Sequence, residues 1–157
     1  MTFTAQHPWS PADVLPHSGD MILIDEVLDF GDEHVRTRVH VRPGGLFNRA
    51  DGSLPAWVGI ELMAQSVAAF AGCQARLSEQ PVELGFLLGT RKFECNVEHF
   101  PVGSELIIHA QRSLQDDSGM GIFECHLTGV GITAVARLNV YRPPQSEHYL
   151  AQGAQDD

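Results

Sequence analysis

The chain has 157 residues, enough for one domain with a core of its own and too few for two to be the default. Twenty Asp and Glu against ten Lys and Arg leave a formal net charge of −10, which repels phosphate backbones and argues against general nucleic-acid binding. Three widely spaced cysteines, Cys73, Cys95 and Cys125, form no CxxC pair, so neither a disulfide framework nor a zinc site is expected, and they read as small hydrophobes in a reducing compartment.

The opening string MTFTAQHPWSPADVLPH lacks a basic stretch followed by an apolar one, so no secretory signal is expected and the cytoplasm is the expected location. Residues 21–29 are apolar and β-branched enough for a strand. Residues 34–41 alternate with period two: Val35, Thr37, Val39 and Val41 fall on one face, His34, Arg36, Arg38 and His40 on the other. That pattern predicts a half-buried strand whose polar face is solvated. Residues 42–55 are dense in Gly, Pro, Asn and Asp and read as a loop; within it Ser53 is an N-cap candidate and Pro55 suits a first helical turn.

From Pro55 to about Leu77 the chain reads as a helix, rich in Ala, Leu, Met, Glu and Gln. Because it is apolar nearly all round, it is expected to be buried on most sides. Within residues 54–75 the one charged side chain is Glu61, in a run free of Lys, Arg, Asp and His. A buried carboxylate must be paired, hydrogen-bonded or kept protonated, and that burden points to acid/base chemistry. A membrane span is not expected here, since Pro55, Gly59, Glu61, Gln65, Ser66 and Gly72 interrupt the run and no basic flank precedes it.

Strand-like runs follow at 84–97, 104–115, 120–128 and 131–142, and residues 143–157 form a polar, acidic tail expected to fray. Four strands after one greasy helix describe an α+β domain with an antiparallel sheet folded around the helix. His7 is expected to be solvated. His99, His109, His126 and His148 lack ligand spacing, so no metal is expected, and nothing implies a cofactor.

The strings LPHSGDMILIDEVLD, LPAWVGIELMAQ and GFLLGTRKFECNV, followed by FPVGSELIIHA, resemble in that order the β-hydroxyacyl-acyl-carrier-protein dehydratases of hot-dog fold. The resemblance extends to the divergent subgroup found with aryl-polyene and related fatty-acid-like clusters. It implies a long helix wrapped by an antiparallel sheet, a homodimer or a heterodimer with a related hot-dog subunit, and an acyl-phosphopantetheine tunnel along the interface. The family's Glu-x-Met-Ala-Gln helix pattern is matched by Glu61, Met63, Ala64 and Gln65, and a spacing of four places Glu61 and Gln65 on one helix face. The helix N-terminus near Ala56 and Trp57 is implied to polarise the thioester carbonyl with its N–H groups.

The family's His-Phe-Pro loop histidine lies fourteen residues before the helix acid, where this chain has Phe47, followed by the polar Asn48, Arg49 and Asp51. After Leu-Pro-His, the family's Arg-Tyr-Pro is replaced by Ser18, Gly19 and Asp20. His17 belongs to the matched string and is implied to lie near the tunnel entrance. The expected catalytic pair is therefore protonated Glu61 as acid and neutral His17 as base, with Gln65, Ala56, Trp57, Phe47 and Asn48 contacting substrate. Arg91 and Lys92 are candidates for docking an acidic acyl-carrier protein. The resemblance leaves two alternatives open, a hot-dog thioesterase and a catalytically inactive acyl-binding or heterodimer-forming subunit.

Overall fold

A computed structural model describes residues 9–82 and 85–142. The expected polar tail, the start of the run at 84, His7 and His148 lie outside them. The described residues open with a single-turn helix α1 (Pro11–Val14) and a 3-10 turn (Gly19–Met21), and then run through strands β1 (Glu26–Phe30), β2 (His34–His40) and β3 (Leu54–Pro55). The long helix α2 (Val58–Leu77) follows, and β4 (Phe86–Cys95), β5 (His99–Phe100), β6 (Glu105–Gln115), β7 (Met120–Gly129) and β8 (Ile132–Tyr141) complete the fold. Six strands form one antiparallel sheet in the order β1-β2-β6-β7-β8-β4, and α2 lies against its inner face.

The alternation in β2 buries Val35, Thr37 and Val39 under α2. The same period in β6, β7 and β8 supplies Leu106, Ile108, Ala110, Cys125, Leu127, Ala134, Ala136 and Leu138 to the core. From the helix, Val58, Leu62, Met63, Ala69, Phe70 and Cys73 meet them. Beneath the helix, the buried Ser66 hydroxyl donates to the Leu62 carbonyl at 2.8 Å and meets the Thr37 hydroxyl at 2.7 Å, so both polar groups are satisfied within the core. Cys73 and Cys125 are buried free thiols whose pKa burial pushes up to about 12, whereas Cys95 is half-buried.

Several expectations need correction. The helix begins at Val58, because Leu54 and Pro55 form a two-residue strand against His99 and Phe100. Ser53 does not cap it: its N–H and hydroxyl both donate to Asp51 Oδ1 inside the loop, and Trp57 takes the cap position without a side-chain bond. The strand expected at 21–29 begins only at Glu26: Met21 closes the 3-10 turn, and residues 22–25 lie in no regular element. The polar face of β2 is paired as well as solvated, with Arg36 on Asp29 and Arg38 on Glu26, and His34 is half-buried 3.4 Å from Asp29. The helix α2 is buried on most sides, as expected, but one face is open within the single chain: Glu61 is exposed, and Ala64, Ala68 and Ala71 are only half-buried. Their side chains are too short to bridge to the sheet, so they border a cavity instead.

Candidate active site

Three anchors along α2 hold the segment that carries His17. At the far end, the Arg76 guanidinium donates from Nε and Nη2 to the Asp13 carbonyl at 2.9 and 2.8 Å. One turn earlier, α1 comes so close that a Cβ on Gly72 would lie 1.8 Å from the Val14 carbonyl oxygen, an approach only glycine permits. Near the helix start, the buried Gln65 accepts from the Leu23 N–H at 2.9 Å and donates from Nε2 to the Met21 carbonyl at 2.5 Å. His17 lies between the second and third anchors, and the segment is thereby fixed beside the middle of α2.

His17 and Glu61 line one cavity of about 360 Å³ between α2 and the β4, β6, β7 and β8 end of the sheet. Glu61 stands in the first turn of α2, where a carboxylate suits the positive end of the helix. The expected burial of Glu61 is absent within the single chain, where its side chain is exposed. His17 is half-buried, and its Nδ1 is buried without a hydrogen-bond partner among the described residues. An orphaned buried donor costs about 1–3 kcal/mol, whereas an idle lone pair is more readily tolerated.

Beyond this pair, Ala64, Ala68 and Ala71 form a smooth wall, and Phe70 and Phe123 meet edge-on with centroids 5.7 Å apart. Arg112 closes that side: its guanidinium stacks 5.3 Å over Phe70 and is held by the Glu33 carboxylate at 2.7 and 3.1 Å. That bond is the main reason the Glu33 carboxyl lies below the usual carboxylate range. Arg112, Phe123 and Tyr141 had no local signal in the sequence as cavity residues, since they arrive from three strands of the sheet.

Other expected site residues lie apart from this cavity. Phe47 and Asn48 line a second cavity of about 380 Å³ with Leu54, Val58 and Leu62, on another side of α2. The Asn48 side chain is engaged in its own loop, accepting from the Gly45 N–H at 2.9 Å and donating to the Gly52 carbonyl at 2.7 Å. Phe47 packs edge-on to Trp57 at 5.7 Å, and Trp57 is half-exposed. The Ala56 N–H already donates to the Glu98 carbonyl at 2.9 Å. The N–H groups of Trp57 and Val58 meet no acceptor among the described residues, so they are the donors the helix start still offers. Arg91 and Lys92 are exposed on the edge strand β4, where the chain bulges and Lys92 adopts φ 57°. Among the described residues no three His, Cys, Asp or Glu side chains cluster to hold a metal ion, and no helix is long and apolar enough to cross a membrane.

The family model for ApeP dehydratases, the ApeP-like family, matches residues 9–151. The chain belongs to the ApeP dehydratase family. A chain of the dehydratase heterocomplex ApeI:P from Xenorhabdus doucetiae is 33% identical with a TM-score of 0.82, the match covering 92% of this chain and 98% of that one. The E. coli PaaI protein from the phenylacetic acid degradation operon matches 70% of this chain and 76% of its own at 12% identity and TM-score 0.53. A hypothetical thioesterase with coenzyme A from Streptococcus pneumoniae TIGR4 matches 70% of this chain and 81% of its own at 11% identity and TM-score 0.52. The last two share the fold alone. No match was found among curated proteins. The expected α+β hot-dog fold and the dehydratase resemblance are both borne out by these findings and by the helix-on-sheet architecture.

Proposed function

We propose that this ApeP-family chain dehydrates 3-hydroxyacyl thioesters presented by an acyl-carrier protein, with Glu61 and His17 flanking the reacting carbons. The observation that carries the reading is the convergence of these two side chains on one cavity with an apolar wall, in a chain of a dehydratase family. Elimination of water needs a group to take the α-proton, a proton for the departing hydroxyl and donors for the oxygen that becomes enolate-like. The Glu61 carboxylate and the His17 imidazole are two groups this cavity offers for those tasks. Because α2 leaves its Glu61 face open, a second hot-dog chain laid against it would close the cavity. The ApeI:P heterocomplex supports a related subunit in that place. Arg91 and Lys92, exposed on β4, suit an acidic carrier despite the net charge of −10.

The test is to incubate the full chain, alone and with any hot-dog subunit that copurifies, with 3-hydroxyacyl carrier protein and to read products by mass spectrometry. The enoyl carrier is the expected product. Glu61→Gln should lower the rate by about 10²–10⁴ while melting temperature and oligomeric state hold. Free acid would point to a thioesterase. No turnover in either form would favour an acyl-binding subunit, the reading that Phe47 at the usual histidine position supports.

A further inference from the structure

Resting on the dehydratase reading above, we infer that His17 acts as a hydrogen-bond donor through Nε2–H, and that Glu61 alone carries the proton in both halves of the elimination. The inference begins with the buried Nδ1. It meets no partner among the described residues, and because the chain itself already encloses it, neither water nor a docked subunit reaches it without rearrangement. A proton on Nδ1 would be a buried donor with no acceptor, so the neutral ring holds its proton on Nε2 and leaves the lone pair at Nδ1. This tautomer follows from the surroundings of the ring. Nε2 is the nitrogen left to address the cavity that His17 lines with Glu61.

For His17 to work as a base at Nε2, the proton must first sit on Nδ1, and the imidazolium formed would carry a second N–H into the same blind site. Nδ1 itself is out of reach of any substrate. The ring therefore gives a hydrogen bond and does not take a proton. The remaining cavity side chains narrow the choice of base. Gln65 is bound on both amide atoms to Met21 and Leu23. Arg112 is held by Glu33 under its stack on Phe70. Glu61 is the single carboxylate among the residues lining the cavity.

The step is then a one-carboxylate elimination on a single face. A Glu61 oxygen takes the α-proton, and the C–H electron pair moves into the thioester, placing charge on its carbonyl oxygen. Nε2–H of His17 stabilises that charge. The enolate collapses to the α,β double bond as the Cβ–O bond breaks, and the departing hydroxyl takes the proton from Glu61. Water leaves, and the carboxylate is restored.

Two measurements decide it. Nitrogen-15 NMR of histidine-labelled full chain, with the His17 signals assigned by their loss in His17→Gln, should give a protonated-type shift at Nε2 and an unprotonated-type shift at Nδ1 in the neutral ring. The reverse pattern overturns the inference whether or not the protein turns over. In the dehydration assay His17→Gln, whose amide N–H reaches as Nε2–H does, should stay within about tenfold of wild type, and His17→Ala should fall by about 10²–10³. A glutamine variant as slow as the alanine one, or an alanine variant at full rate, also overturns it. A wild type that dehydrates nothing would sink the functional reading instead, and the NMR pattern would still decide the tautomer.

Discussion

Gln65 lies one helical turn beyond Glu61, and its two amide atoms tie the helix to the backbone of Met21 and Leu23, more than 40 residues away in sequence. Gln65→Leu keeps the bulk and removes both bonds. A backbone group left unpaired costs about 1–3 kcal/mol where water cannot reach it and less at the half-exposed Met21, so the variant should melt at lower temperature and exchange the Leu23 amide faster. Dehydration should slow with it, because His17 rides on the same segment. Unchanged exchange at Leu23 would show that other contacts hold the segment. The i, i+4 spacing placed Glu61 and Gln65 on one face, and the structure puts both at one cavity. What the spacing lacked was the partner of each: a long-range backbone clamp leaves no periodic trace, so Gln65 read as a substrate contact. Glu61 read as buried because its neighbours in sequence are apolar, yet several of those neighbours face a gap and not the sheet.

At the scale of elements, the close approach of α1 to α2 has a single-atom test. Gly72→Ala places a methyl 1.8 Å from the Val14 carbonyl oxygen, and since backbone lies on both sides, one helix must move. Overpacking of this kind typically costs about 1–3 kcal/mol, read as a shift of the denaturation midpoint; a wild-type midpoint would mean that α1 repacks freely. Activity should also fall, because α1 leads directly into His17. The long elements were legible: α2 stood out through its long run of apolar helix formers and β2, β6, β7 and β8 as runs of seven or more residues, and their ends came within a few positions. The short ones were not. β3 and β5 have two residues each, too few for any period, and they exist because Leu54 and Pro55 meet Phe100 and His99 across the fold. That pairing moved the helix start from Pro55 to Val58 and engaged the Ala56 N–H with Glu98.

For the whole molecule, the open face of α2 and the open edge of the sheet raise one question, what covers them. Among the described residues β4, ten residues long, pairs only with β8, and Leu87 and Leu88 on it are 41% and 57% exposed. An unpaired edge with two leucines exposed at one end invites another chain there, and a second hot-dog subunit meeting that end of β4 would also close the Glu61 side of the cavity. Sedimentation at micromolar concentration should therefore find a dimer or a two-subunit complex, with β4 amides exchanging more slowly in the assembly than in the dissociated chain. Charge then separates the two kinds of pair. Two copies of this chain each bring a net charge of −10, so a homodimer must overcome repulsion that salt screens over about 10 Å at 0.1 M, and its affinity should rise as salt is added. A partner with a less acidic surface meets less repulsion, and that heterodimer should hold at low salt where the homodimer loosens. A lone monomer at every salt concentration, with no subunit copurifying, would show that the β4 edge stays open.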